Sequence, residues 1–219
     1  GPRFMQDLEI ENEETKKTEI IDKLLIDAPG ESTLKQNKDL FIKRDRAKKL
    51  CLVCCSQALF TLQINAPSGG QGHRVGLRGG GPVNTLILGD SLWNTAWVNV
   101  LNINEFENMA DSTKQNNADK FPWLKKTRTS ENDKATTNQD VHPAQIYWSM
   151  PRRIRLVIAN ETGNCDLCND SGQLVKEYFA KPYGVKYTGF VHPLTPTYKN
   201  KNGEVLPVHQ HEALGYKHW

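Results

Sequence analysis

The chain has 219 residues, with 28 Lys and Arg against 25 Asp and Glu, a formal net charge of +3 and 37% hydrophobic residues. That length supports one good-sized core, or one core with an appendage, and a mean hydropathy of −0.61 suits a subunit with large loops or partner-covered faces better than a compact enzyme. A pI near 8.5 falls short of the strongly basic balance that would by itself demand a nucleic-acid partner, and neither a membrane-length apolar run nor a signal peptide is present in the sequence.

Charge is unevenly distributed. Glu9, Glu11, Glu13 and Glu14 form an acidic run, and Lys43, Arg44, Arg46, Lys48 and Lys49 a basic one just upstream of the first cysteines. Between Glu14 and Ile26, the residues Ile20, Ile21, Leu24 and Leu25 recur at helical spacing, and Asp27-Ala28-Pro29-Gly30 supplies the stop. A short helix with one buried face is predicted. A second helical pattern starts near Arg46 and runs through Leu50, Val53, Leu59 and Leu62 to Ile64, with Cys51, Cys54 and Cys55 on it or at its start.

That helix delivers the chain into the stretch from Ile64 to Val83, where seven glycines lie between Pro67 and Pro82. Such a backbone takes positive φ freely and can approach another backbone closely. Three readings are open: its N–H groups cradle a phosphate, or the segment enters a nucleic-acid groove with His73, Arg74 and Arg78 alongside, or it is a plain surface loop.

Past the loop, Thr85-Leu86-Ile87-Leu88, closed by Gly89, reads as a buried strand. Asp90 or Ser91 then caps a helix whose stripe of Leu92, Trp93, Ala96, Trp97, Val100 and Leu101 is expected to be core. From 108 to 145 the sequence is dominated by Lys, Asn, Thr, Asp and Ser, with Phe121, Trp123 and Leu124 as an apolar island, so a mobile polar insertion is expected. Ile154, Leu156 and Ile158 alternate with Arg153, Arg155 and Val157, which predicts a half-buried strand with its basic residues on the open face. Leu174 to Phe190 suggests a hairpin turning at Pro182-Tyr183-Gly184, and Lys199-Asn200-Lys201-Asn202-Gly203 a second one, whose Asn-Gly suits a type I′ turn. The fold class expected is α+β: one mixed domain over 1–219, with helices, short antiparallel strands or hairpins and long loops. The lack of a membrane-length run and of a signal-peptide pattern reads as cytoplasmic, and the abrupt start at Gly1-Pro2-Arg3 and stop at Lys217-His218-Trp219 suggest part of a longer subunit.

Cys51-Leu52-Val53-Cys54 and Cys165-Asp166-Leu167-Cys168 are two CxxC knuckles, the second framed by the turn formers Gly163-Asn164 and Asn169-Asp170. Four thiolates at about 2.3 Å around tetrahedral Zn²⁺ make a closed structural site with no position left for catalysis. The knuckles lie much farther apart than the roughly 15–20 residues of a local zinc ribbon, so the fold must bring them together. Zinc is the first reading and buried free thiols the second. A redox dithiol comes last, because it needs no distant twin. Cys55 is left over as a small core residue. His209 and His211 are two apart but have no third ligand at a recognisable spacing, and His192-Pro193 reads as a rigid turn whose histidine packs or hydrogen-bonds. There is no GxSxG, Walker A lysine or HExxH, so the case for an enzyme is thin.

Several stretches together resemble the large subunit of the type I-E CRISPR Cascade surveillance complex, the CasA family. They are Phe4-Met5-Gln6, Ala66-Pro67, Gly76-Leu77-Arg78-Gly79-Gly80 with Pro82-Val83, Arg152-Arg153-Ile154-Arg155-Leu156, Tyr187-Thr188-Gly189, His192-Pro193-Leu194-Thr195-Pro196 and both knuckles. The resemblance covers nearly the whole chain. It implies a DNA-recognition subunit and not a nuclease, one that works in a complex containing CRISPR RNA, reads a short motif in double-stranded DNA, helps open the strands and recruits a separate helicase-nuclease. It places Ser68, Gly69, Gly70, Gln71 and Gly72 in the minor groove, whose degenerate code suits a reader that tolerates several motifs. Lys181 is the best match for a lysine inserted from the same side, and the family's zinc ligands fall on Cys51, Cys54, Cys165 and Cys168. Pro182 departs from the family pattern, as do Ser68 and Gln71, which stand where members carry glycine. Arg74, Arg78, Arg153 and Arg155 are candidate phosphate or guide-complex contacts on charge alone. The rival classes are a zinc-containing nucleotide- or phosphate-processing enzyme and a purely structural assembly subunit.

Overall fold

Burial in the C-terminal half follows one long strand. A computed structural model describes residues 3–10, 17–80, 83–108 and 116–208. In chain order its elements are β1 (Glu19–Ile20), α1 (Glu31–Lys35), β2 (Leu50–Cys51), α2 (Leu52–Ile64), α3 (Leu92–Val98), α4 (Ile103–Glu107), α5 (Asn117–Lys120), β3 (Ala135–Thr136), β4 (Arg153–Asn164), β5 (Ser171–Lys181), β6 (Lys186–Tyr187), β7 (Thr197–Lys199) and β8 (Val205–Pro207). Short 3-10 turns lie at Ile21–Leu24, Pro122–Leu124 and Pro143–Ile146. The mixed α+β class holds.

β5 pairs antiparallel with β4 along one edge, and with β1 and β2 in tandem along the other. Register shifts between Val157 and Thr162 let Leu174-Val175 and Tyr178-Phe179 be buried in adjacent pairs rather than strictly alternating. α2 packs on this sheet. Leu50, Cys55, Ala58, Leu59, Ile154, Leu156, Val175 and Tyr178 meet in one cluster with Ile21 and Leu24, and Cys55 takes the core place expected of it.

Several local expectations are corrected. Glu14–Ile26 is not a helix over its described part: Glu19-Ile20 pairs with the edge of β5, and the chain then makes a single 3-10 turn. Ile21 and Leu24 are buried there, whereas Ile20 is exposed. α2 starts at Leu52 and not near Arg46, because Leu50-Cys51 first pairs with Leu174-Val175. The basic run before it is fixed through its backbone: the buried carboxylate of Asp22 accepts from the N–H groups of Asp45 and Ala47, both at 3.1 Å.

Thr85–Leu88 is not a buried strand. Leu88 is 81% exposed, and Ile87 has its backbone N–H and C=O bonded by the Asn99 side-chain amide, which stands in for a strand partner. α3 is capped by Ser91, whose side chain accepts from the Asn94 N–H, as expected. Its apolar stripe is surface, however, with Leu92 88% and Trp93 69% exposed, since no described element packs over it.

The open basic face expected of β4 is covered. Arg153 is buried against Asp7 at 2.6 Å, and Arg155 donates to the carbonyls of Leu8 and Ile10, because the N-terminal segment runs along the outer edge of β4, with the Asp7 N–H on the Ile154 carbonyl and the Leu156 N–H on Gln6 Oε1. The main hairpin joins β4 to β5 through the second knuckle, and does not turn at Pro182-Tyr183-Gly184; β6 leaves to pair parallel with β3. The β7–β8 hairpin is present, but its turn has positive φ only at Gly203, with the Gly203 N–H on the Asn200 carbonyl at 3.0 Å. This is a type I turn with a glycine bulge in place of type I′. Within 108–145, residues 109–115 lie outside the described ones; farther on, Ser130, Thr136, Val141 and Gln145 are buried. His209 and His211 also lie outside them.

His192 packs and hydrogen-bonds as expected: it is 5% exposed, meets the Tyr147 ring edge-on at 5.5 Å, and its Nδ1 accepts from the Leu194 N–H. Burial, assisted by the charge of Arg78, lowers its pKa from 6.5 to about 4. A base depressed in the folded state contributes its full stability above the unfolded pKa and loses it as the unfolded chain alone takes up a proton. The thermal midpoint is therefore expected to fall between pH 6.5 and 4, and less steeply in His192→Gln. His142 is depressed in the same direction by its own burial, so the difference between the two profiles isolates His192; parallel profiles would exclude this coupling.

Candidate metal centre and glycine-loop surface

The two knuckles meet although about 110 residues of chain lie between them. Pairing of β2 with β5 sets Cys51 opposite Leu174, just beyond the turn that carries Cys165 and Cys168. Asp166 completes the join: its carboxylate accepts from the N–H groups of Lys48 (2.7 Å) and Lys49 (3.0 Å), and its own N–H donates to the Lys49 carbonyl. Asn169 closes the second knuckle at φ 62°, donating to the Cys165 carbonyl.

The sulfur atoms of Cys51, Cys54, Cys165 and Cys168 all lie within 4.8 Å of one another, with Cys51 Sγ to Cys168 Sγ at 3.8 Å. A tetrahedral ion with bonds of about 2.3 Å to sulfur has an edge of about 3.8 Å, so the cluster fits a metal of that kind. Backbone N–H groups point at three of the sulfurs from 3.4–3.5 Å: Cys54 at Cys51, Leu167 at Cys165 and Asp170 at Cys168. Such donors favour the thiolate form. Burial raises the Cys54 thiol. Burial also opposes ionisation of Cys165, but backbone donors, together with the neighbouring thiols, bring it down to about 6. One thiolate forms readily and its charge holds back its neighbours, which a bound cation would relieve.

α2 leads from this cluster to the glycine stretch, which is an arch closed at its base. The Gly76 N–H donates to the Ala66 carbonyl at 2.9 Å, and a Cβ on Gly76 would stand 2.5 Å from the Ile64 carbonyl oxygen, so only glycine allows this approach. Ser68, Gly69, Gly70 and Gln71 are exposed at the top, with Gly70 at φ 88°. Gly72, at φ 75°, is half-buried against Pro182 and Tyr183, and its carbonyl accepts from the Tyr183 N–H at 2.7 Å. Lys181, the last residue of β5, is thereby brought next to the arch.

The arginines drawn from charge alone are engaged within the chain. Arg74 donates to the Ser130 side chain and carbonyl and pairs with Asp133 at 3.2 Å. Arg78 is buried, on Thr195 and Asn84. Arg153 and Arg155 hold the N-terminal segment. Two residues to which sequence reasoning gave no role organise the arch. Gln63, fully buried at the end of α2, bonds both the N–H (3.0 Å) and the C=O (2.9 Å) of Arg152. The Arg152 guanidinium lies under Gly69 and reaches Pro67 and His73. A polar residue inside the apolar pattern ending at Ile64 was the one available signal for Gln63.

A family model described as CRISPR-associated protein Cse1 matches residues 1–219, and the chain belongs to that family, the large subunits of the type I-E Cascade surveillance complex.

Metal analysis of the purified protein is expected to find about one tetrahedrally held ion per chain. Cys54→Ser or Cys165→Ser should lose it and lower the thermal midpoint, whereas Cys55→Ser should keep it. A folded, metal-free wild type would remove the site.

Proposed function

We propose, starting from a Cse1-family chain of a CRISPR RNA-guided Cascade complex, that this protein is the complex's DNA-motif reader and not an enzyme. The arch from Ser68 to Gly72 enters the minor groove of double-stranded DNA beside the target, with Lys181 inserted next to it. The observation that carries this reading is the bond from the Tyr183 N–H to the Gly72 carbonyl, which joins an exposed, side-chain-poor loop to the chain two residues past Lys181. Exposed glycine backbone can approach base edges that side chains would hold off, and the minor groove separates chiefly A·T from G·C there. Gln71 adds a side chain with both a donor and an acceptor, so its motif preference differs from that of an all-glycine loop.

The guide RNA then reads the remaining target sequence by base pairing, with this subunit supporting strand opening and recruitment of a helicase-nuclease in the cytoplasm. The ion at Cys51, Cys54, Cys165 and Cys168 is zinc in a structural role: four thiolates leave it no open position for chemistry. No described helix is long and apolar enough to cross a membrane. A phosphate cradle is disfavoured, since such a loop works by opening straight into a helix N-terminus, and the first helix after these glycines begins only at Leu92.

The test is duplex binding by the assembled complex. Gly70 faces open space at positive φ, where aspartate is strained less than most residues, and Gln71→Glu, at a position without positive φ, places the same charge in the groove without that strain. Gly70→Asp, Gln71→Glu and Lys181→Ala are each expected to weaken binding to motif-bearing duplex roughly tenfold or more, the size of one lost specific contact, with the complex still assembled. Unchanged binding in all three would leave an assembly role in place of motif reading.

A further inference from the structure

We propose that Arg152 is the positioning residue of the glycine arch: its guanidinium clamps the two ends of the exposed segment, Pro67 and His73, so that motif reading depends on a side chain that does not itself touch DNA. This rests on the arch being the reading element. Nη2 of Arg152 donates to the Pro67 carbonyl and Nη1 to His73 Nδ1 at 2.7 Å, so one rigid fork spans the segment that carries Ser68 to Gly72. The backbone of Gly69 lies directly on the fork: a Cβ there would stand 2.9 Å from Nη1 and 3.0 Å from Nη2. Gln63 fixes the arginine's own backbone from both sides.

Ordinary stabilisation does not account for an arginine at this place. Its Nε is buried without a partner, and among the described residues no carboxylate forms an ion pair with it. Burial also lowers its pKa, so the fold holds the charge against a desolvation cost. What the fork gains is the geometry of the arch. A lysine offers a compact ammonium in place of a planar fork and would not span both acceptors.

The His73 bond needs an unprotonated Nδ1. Burial and then the charge of Arg152 lower the His73 pKa, while Glu19, itself paired with Lys23, pulls the other way; Tyr178 acts on Arg152 from the β5 side. The clamp is therefore intact at neutral pH and lost in acid. An asparagine at 73 supplies an acceptor that does not titrate.

The experiment is amide hydrogen exchange of the whole chain, paired with duplex binding by the assembled complex. The reporters are the N–H groups of His73, bonded to Gly70, and of Tyr183, bonded to Gly72. Arg152→Gln is expected to speed exchange at both at least tenfold, with β5 amides and metal content unchanged, and to weaken motif-bearing duplex more than duplex without the motif. Arg152→Lys should lie between Arg152→Gln and wild type. His73→Asn should keep neutral-pH protection and remove the acid loss that wild type shows. Unchanged exchange at His73 and Tyr183 in Arg152→Gln overturns the clamp. Faster exchange with unchanged duplex binding overturns the arch as the reading element, which separates the two failures.

Discussion

The core of this chain and the placement of its two candidate sites depend on the double pairing of β5. β4 takes one of its edges and β1 and β2 share the other, so a single strand fixes pieces of chain that start far apart. Its first residues follow the second cysteine knuckle, and its last residue is Lys181. α2 makes the same journey beside it, from Cys51 at its cap to Ile64 at the foot of the glycine arch, about 20 Å at 1.5 Å per residue. The cysteine cluster and the arch are therefore the two ends of one body. β4 starts beside Arg152 and ends at the knuckle, which adds a third rod between them.

This arrangement changes what holds the arch. A four-thiolate ion would sit a helix length away, where it locks the start of α2 to the β4–β5 turn. The arch itself is shaped by closer contacts: the Ala66–Gly76 closure, the Tyr183 N–H on Gly72, and the Arg152 fork. A metal at one end would thus set the relative placement of two rods, and hydrogen bonds at the other set loop geometry. Four arginines that charge alone would send to a phosphate backbone are instead spent on the chain's own carbonyls, hydroxyls and carboxylates. The basic surface available for nucleic acid is correspondingly smaller than composition suggests.

The exposed stripe of α3 and the extended segment before it show the opposite relation. Here the pattern is that of a buried strand and an amphipathic helix, yet Leu88, Leu92, Trp93 and Trp97 face outward. Periodicity reports that a face is meant to be covered, not by what. In a subunit of a multicomponent complex that distinction is large, and it explains why an apolar stripe whose periodicity predicts core lies at the surface.

Spacing ranked a shared four-thiolate site first among the uses of two CxxC turns, and it marked the glycine stretch as backbone free to approach a partner. The β7–β8 hairpin, the Ser91 cap, the packed His192 and the core place of Cys55 were likewise local matters of turn chemistry and burial, legible without a fold. Resemblance carried the family. What needed tertiary structure was everything set by contacts between distant segments: the tandem edge of β1 and β2, which replaced a predicted helix with a strand; the N-terminal segment that buries Arg153; and the meeting of Gly72 with Tyr183. Gln63 and Arg152 belong to this second class, for a polar residue interrupting an apolar pattern does not name the backbone, 89 residues away, that its side chain bonds. Local sequence determines which conformations are cheap, whereas the long-range pairing of β5 decides which of them coexist.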